Sequence, residues 1–458
     1  MESRWEDERE VAGRRQLSSA EDPESRSRPI QSTARAATKS GTATMADLHE
    51  VPERIIAPVP RITIQAFCET QEAAATVETA CLDRRMQKAH TKVQMGGGLA
   101  AVEAYKHAPT PNVIIIETQG AKSKPLECLD ALAEVCDEGT KVIVIGHVND
   151  VLLYRQFLQR GVSEYLMAPV DPLTLIEAVS GLFSAPGAKP VGRTITVIGA
   201  KGGVGASTIA HNIAWTIARG QGTSTVIADL DIAFGTAGLD FNQDPPQGIA
   251  EAVFAPERLD TNLLDRLLSK CSDNLSLLSA PAVLDRTTDL SEPAFDHLID
   301  LLRATVPCIV LDAPHQWSAW TRRLLISSDE IVIVAAPELA SLRNTKNLLT
   351  LLQQGRPHDT PPRIVLNGVG VPKRPEISSV EFAKALDASL DAIIPFDPAL
   401  FGTAANNGQM ISEIQPHAKA TEVLTQFAGR LTGRIEAPRT RLSLLEPLLS
   451  KLGRRKAS

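Results

Sequence analysis

The sequence predicts an α/β protein with two doubly wound parallel sheets in series. Three observations predict it. Short apolar runs alternate with helix-period segments from Arg61 to Phe183, and again from Thr194 onward. A Pro/Gly-rich break, SAPGAKPVGR over Ser184–Arg193, separates the two series. The 458 residues also exceed one typical domain of ~100–200 residues. The expected division is an unfolded N-terminal extension over 1–58, a first sheet over 59–184, a linker over 185–193, a second sheet over 194–434 and a tail over 435–458.

The first series reads as five βα units. Ile62–Phe67 is a strand and Gln71–Asp83 a helix; Thr91–Gln94 is a short strand and Gly98–His107 a helix. Asn112–Ile116 and Lys141–Ile145 are apolar enough to be buried on both faces. They alternate with helices over Leu126–Cys136 and Asp150–Arg160, and the series closes with strand Glu164–Met167 and helix Leu173–Phe183. Five such units suit a flavodoxin-like doubly wound sheet. Ahead of them, Met1 to about Arg54 is rich in Glu, Arg, Ser and Ala and poor in large apolar residues, so it cannot bury enough surface to fold. Met45 stands as a second candidate start.

Composition limits the function. The net charge of −7 works against general attraction to nucleic acid, and 4% aromatic residues supply few stacking platforms for single strands. Six scattered cysteines (68, 81, 128, 136, 271 and 308) form no CxxC pair and suit a reducing compartment. No apolar stretch approaches the roughly 20 residues that span a bilayer, and the N-terminus lacks a signal-peptide core. The expectation is a cytoplasmic protein, at most peripheral at the inner membrane or a cell pole. In the tail, Leu442, Leu445, Leu449 and Leu452 fall near one helical face beside Arg454, Arg455 and Lys456, but Pro447 interrupts it. A membrane-lying amphipathic helix and a packed terminal helix are both open there.

The second series begins with the chemistry. Ile195–Ile198 is apolar and runs into Lys201-Gly202-Gly203-Val204-Gly205-Ala206-Ser207-Thr208, which opens onto a helical pattern through Ala218. Strand, glycine turn and helix in this order make a phosphate cradle: glycines let backbone N–H groups converge, the helix N-terminus attracts anions, and Ser207 is placed to ligand Mg²⁺. Next, Ser224–Leu230 is a strand ending at Asp229 and Asp231. Cys308–Leu311 is a strand ending at Asp312. Strands follow at Glu330–Ala335 and Pro362–Leu366, with an amphipathic helix opening near Ser341.

The K-G-G-V-G-x-S-T pattern, with lysine at 201 and Ala206 in place of a second lysine, resembles the deviant Walker A loop of the MinD/ParA ATPases. The resemblance covers about Arg193–Arg434. It implies ATP and Mg²⁺ as cofactors, bound through Gly202, Gly203, Val204, Gly205, Ala206, Ser207 and Thr208. It places Lys201 on a partner's phosphates across a homodimer, and gives Asp231 (switch I) and Asp312 (Walker B) catalytic and metal-organising roles beside Ser207, the two carboxylates acting through water. Asp229 is then a supporting carboxylate or a turn cap. Asn367, Pro395 and Asp397 match the adenine-side positions. Arg343 matches a dimer- or partner-face position, with a solvated helix arginine equally open.

Gly161–Pro169 (GVSEYLMAP) resembles the end of strand five of response-regulator receiver domains. Glu117 stands where a receiver's phosphoacceptor Asp would, Glu69 is one acid where two hold metal, and Ala168 replaces the lysine before Pro169. Glu117 reads either as a fixed mimic of a phosphorylated aspartate or as part of a switch-less interaction module.

A pseudo-receiver followed by a deviant-Walker domain resembles the CpaE/TadZ group of Flp (tight-adherence) pilus assembly proteins. That resemblance implies a polar localisation or assembly factor whose partners are pilus and secretion assembly proteins, including the secretion ATPase. Loss of the lysine at 206 implies weak ATP hydrolysis, and nucleic acid is not an expected partner. The alternatives are a DNA- or cargo-segregating ATPase of the ParA type and a nucleotide-independent scaffold.

Overall fold

The computed structural model describes residues 56–119, 123–184, 191–245, 247–280 and 290–434. The N-terminal extension up to 55, most of the linker and the tail lie outside the described residues, as do Met45 and the leucine stripe.

The first sheet has five parallel strands: β1 (Thr63–Cys68), β2 (His90–Met95), β3 (Val113–Thr118), β4 (Lys141–Gly146) and β5 (Glu164–Met167). Their order is β2-β1-β3-β4-β5, the doubly wound order expected from the sequence. Helices cover both faces, so the central strands are buried on both sides. Val113 and Ile115 face one apolar cluster, and Ile114 and Ile116 face the other.

The second sheet has eight strands. They are β6 (Arg193–Gly199), β7 (Thr225–Asp229), β8 (Ser269–Lys270), β9 (Leu275–Leu278), β10 (Cys308–Ala313), β11 (Glu330–Ala335), β12 (Arg363–Val369) and β13 (Ala392–Pro395). The order is β13-β12-β11-β6-β10-β7-β9-β8, parallel except for the β8–β9 edge pair. The strand before the glycine loop, β6, therefore lies between β11 and β10. Its side chains alternate, Ile195 and Val197 into one core and Ile198 into the other. Strands β8 and β9 were not expected from the sequence. Leu275–Leu278 is a short run without flanking glycine signals, and pairing with β7 on one side and β8 on the other makes it a strand.

Two expected boundaries move. Ile56 and Val59 are buried in the first sheet's core and the carbonyl of Ala57 accepts a bond from the Ser180 hydroxyl, so packing begins before residue 59. Arg193, expected as linker, is the first residue of β6, and Gly192 N–H donates to the carbonyl of Arg303.

Both sheets belong to one compact unit. They are joined at the amino-terminal end of the second sheet, away from the glycine loop. A short 3₁₀ turn, Arg84–Met86, follows the helix Gln71–Cys81. Arg84 donates to Asp359 (2.8 Å), to Asp329 (3.2 Å) and to the Ser327 carbonyl (3.0 Å), and Arg85 lies 2.5 Å from Asp359. Arg356 also meets Asp359 (3.2 Å), and Arg303 pairs with Asp329. Asp329 in turn accepts from Thr194 N–H at the start of β6 (2.9 Å). Guanidinium groups suit such a junction because each carries several fixed donors that match carboxylates.

Burial opposes ionisation of Asp359, but the hydrogen bond from Arg84 and the charges of Arg84, Arg356 and Arg85 outweigh it and hold its carboxyl down at about 2. Its folded value lies below the unfolded one, so its contribution is full above the ordinary aspartate range and is lost as pH falls through the folded value. The expected result is a loss of folding stability between about pH 4 and pH 2 in urea titrations. Asp359→Asn should cost about 3 kcal/mol or more at neutral pH by leaving three guanidinium groups short of a partner, and should flatten that acid slope.

Candidate functional site

The glycine loop leaves β6 at Gly199 and enters the helix Ala206–Trp215. Gly203 (φ 79°) and Gly205 (φ 84°) adopt left-handed conformations that side chains disfavour. A Cβ on Gly205 would lie 2.6 Å from the Asn367 amide nitrogen. Three side chains hold the backbone carbonyls around the loop. His315 Nδ1 donates to Gly199 (2.9 Å), Asn344 to Ala200 (2.8 Å) and Asn367 to Val204 (2.8 Å). Binding these carbonyls to side chains leaves the N–H groups of the turn and the first helical turn for an anion. The cradle thus fits a phosphate chain.

Lys201, half-exposed, lies 2.5 Å from Glu338, which precedes the helix Leu339–Gly355 and makes no side-chain capping bond to it. Ala206 starts the loop helix, and Ser207 and Thr208 sit half-buried in its first turn.

The carboxylates come from the ends of neighbouring strands. Asp312 of β10 is in register with Asp229 of β7 and with Val197 of β6. Asp229 is fully buried and accepts from the N–H groups of Asp231 (3.1 Å) and Ala237 (3.0 Å). Burial, with the nearby Asp312 charge, holds its carboxyl well above the usual range. Asp231 begins the following turn and accepts from Phe234 N–H (3.0 Å). Gly235 packs so closely there that a Cβ would lie 2.3 Å from Asp229 Oδ2. The Asp312 Oδ1 atom is buried without a hydrogen-bond partner, as expected of a carboxylate set to meet metal-bound water. No cluster of three or more metal-ligating side chains occurs among the described residues. Mg²⁺ usually takes one or two carboxylates plus substrate phosphates, so this site fits Mg²⁺ held with a nucleotide rather than in a protein cage.

The residues expected on the adenine side are spread along the β12–β13 edge. Asn367 lies within β12 against the loop, Pro395 ends β13, and Asp397 uses Oδ1 to cap the helix Pro398–Asn407 through Leu400 N–H (3.0 Å). Arg343 is engaged with neighbouring Asn344 (3.2 Å).

Sequence reasoning missed His211. It lies one turn beyond Ser207 on the loop helix, an i,i+4 spacing that puts both on one face. Its burial opposes protonation, but the bond to Asp240 and the proximity of Asp312 outweigh this and push it up to about 10.

In the first sheet, Glu117 at the end of β3 is fully buried. Its carboxylate accepts from Glu69 N–H (2.8 Å), Thr70 N–H (2.7 Å) and the Thr70 hydroxyl (2.7 Å), with His147 Nε2 at 2.9 Å. Burial opposes its ionisation, and the Thr70, His147 and Glu69 bonds outweigh that and lower its pKa. Glu69 is itself engaged, accepting from Gln119 N–H (2.8 Å). Tyr165 covers Gly146, where a Cβ would lie 2.1 Å from the phenol oxygen. A carboxylate enclosed in this way is a structural clamp between strand ends, and it presents no charge at the surface.

Residues 192–360 match the family model of an AAA domain. The septum site-determining protein MinD of Helicobacter pylori is 26% identical over 252 residues, covering 52% of this chain and 90% of the relative. MinD of Escherichia coli K12 is 30% identical over 161 residues, covering 35% of this chain and 58% of that protein. Among solved structures, the pilus assembly protein CpaE of Caulobacter crescentus CB15 is 50% identical, covering 28% of this chain and 98% of that one, at a TM-score of 0.28. The second sheet with its glycine loop has a P-loop architecture, and over that region the chain is similar to the MinD proteins.

Glu117→Gln puts an amide NH₂ against groups that are themselves donors. It is expected to cost about 2 kcal/mol, read as a lower midpoint in urea unfolding. An unchanged midpoint would mean that the carboxylate is not needed there.

Proposed function

We propose that this chain is an ATP- and Mg²⁺-binding localisation or assembly factor of Flp-type pilus secretion machinery that works as a nucleotide-gated homodimer. The observation that carries the nucleotide part is the cradle itself: Gly203 and Gly205 in left-handed conformations, with the surrounding carbonyls held by His315, Asn344 and Asn367. The pilus role rests on the order of the two sheets and on the receiver-like elements stripped of their switch.

In this reading the backbone of Gly202–Thr208 holds the phosphates. Ser207, Asp231 and Asp312 organise the metal, and Asn367, Pro395 and Asp397 flank the base. Bound Mg²⁺ supplies positive charge against the phosphate oxygens. Ala206 offers no cation beside them, so turnover is slow and the bound state is long-lived.

Lys201 is the one lysine of the loop. Within a single chain it faces Glu338, and dimerisation requires it to exchange that partner for the other chain's phosphates. Large apolar side chains are exposed at positions that follow β7, β10 and β11: Phe234, Leu239, Trp317 and Leu339. Such surface suits burial in a dimer. The partners are a second copy and pilus or secretion assembly proteins, met in the cytoplasm or peripherally at the inner membrane or pole. Among the described residues no helix is long and apolar enough to cross a membrane.

Solution mass by light scattering tests the reading. The expected result is a dimer with ATP·Mg²⁺, a monomer with ADP or no nucleotide, and no dimer for Lys201→Ala. A mass indifferent to nucleotide would sink the gated-dimer proposal and favour the scaffold.

Restoring the missing cation tests the loop's assigned geometry. Ala206→Lys is expected to raise ATP affinity or turnover roughly tenfold or more, the scale on which a fixed donor at a phosphoryl group acts. Equal binding and turnover in both proteins would argue against that geometry.

A further inference from the structure

One buried side chain joins three parts of the site that lie far apart in sequence. His211 has no solvent exposure. Its Nδ1 lies 2.7 Å from Asp240 Oδ2, and its Nε2 lies 3.4 Å from Asp312 Oδ2. Asp240 ends the short helix Ala237–Asp240, which follows directly on the turn that starts at Asp231. Phe241, the next residue, packs on the imidazole with ring centroids 5.5 Å apart and on Trp215 of the same loop helix at 6.4 Å. The loop helix, the segment after β7 and the end of β10 thus meet at one ring.

An ordinary core histidine is satisfied by a carbonyl or a hydroxyl. His211 has a carboxylate at each end, and the Asp312 carboxylate retains a buried oxygen with no partner. Burying carboxylates around one ring carries a desolvation cost that an apolar contact of the same shape would not. Here the ring is hydrogen-bonded to Asp240 and stands in electrostatic contact with Asp312, its buried Nε2 having no hydrogen-bond partner of its own. Asp229 strengthens the link from the other side, since it holds Asp231 N–H and Ala237 N–H while lying beside Asp312 in the sheet.

We propose that His211 is a positioning residue of the nucleotide site, tying the segment 231–240 to the Asp312 carboxylate so that ATP·Mg²⁺ at the glycine loop orders that segment. The proposal rests on the nucleotide-binding reading above. His211 touches neither phosphate nor metal in it; it transmits occupancy of the loop to the turn that carries the exposed Phe234.

Hydrogen–deuterium exchange of the full chain, read by peptide mass, tests this with ATP·Mg²⁺, with ADP·Mg²⁺ and with ATP in EDTA. In the wild type, ATP·Mg²⁺ is expected to slow exchange in both 201–208 and 231–241. His211→Ala should keep the slowing at 201–208 and lose most of it, at least fivefold, at 231–241. His211→Gln, whose amide nitrogen carries two protons, should restore part of it. Asp240→Ala breaks the same tie from the half-buried end. It should reproduce the His211→Ala pattern, and it carries the test if the buried substitution does not fold. A loss confined to 231–241 is a readout that general loosening of the core would not give. Wild-type-like slowing at 231–241 in both variants would overturn the proposal, as would a wild type that responds at 201–208 alone. A wild type with no response at 201–208 would overturn the nucleotide reading and take this proposal with it.

Discussion

Two aspartates side by side in the middle of a parallel sheet set the terms for the second half of this protein. Asp229 and Asp312 are in register on β7 and β10, both buried, with little water to screen them. Like charges so placed demand answers from everything around them. Backbone N–H groups of Asp231 and Ala237 answer Asp229, which forces the chain after β7 to fold back tightly and leaves room only for glycine at 235. His211 approaches Asp312 from the loop helix. The shape of the turn follows from binding Asp229, while the loop helix is held by its apolar face in the core. One Asp312 oxygen remains buried without a hydrogen-bond partner.

The opposite end of the same sheet shows the other solution to buried charge. Asp329 and Asp359 are surrounded by Arg84, Arg85, Arg303 and Arg356, with Thr194 completing the shell. Opposite charges and many donors make this end self-sufficient. The contrast assigns different work to the two ends. One is a finished joint that ties the first sheet to β6 and β11; the other leaves a carboxylate oxygen unpartnered near the glycine loop. The first sheet repeats the finished solution in Glu117, whose carboxylate is enclosed by donors from Glu69 and Thr70.

Much of the fold was legible in the sequence because parallel strands buried on both faces are continuous apolar runs. Cys308–Leu311 and Glu330–Ala335 could hardly be anything else, and the five βα units of the first half fix its class by alternation. The short edge strands β8 and β9 were not legible, since four residues such as Leu275–Leu278 carry too little periodicity to separate strand from loop. Placement of the glycine loop was legible for the same reason as the strands: the motif is local, and its backbone geometry dictates its residues. Lys201, Ser207, Asp231 and Asp312 were singled out by type and by position after strands. His211, Asp240 and Glu338 were passed over, because an isolated polar residue in a helix or at its cap gives no sign of what faces it.

The sequence by itself determined the two doubly wound sheets, the loop and the carboxylates that follow the strands. These depend on contacts within a few residues, on apolar period and on glycine. Tertiary structure alone decided that the two sheets form one compact unit, that Arg84 and Arg85 serve as its joint, that Glu117 is enclosed, and that His211 lies between Asp240 and Asp312. Each of these is a charge met by a partner dozens to hundreds of residues away. Burial raises the cost of leaving such a charge unmet, and only the folded chain shows which partner meets it.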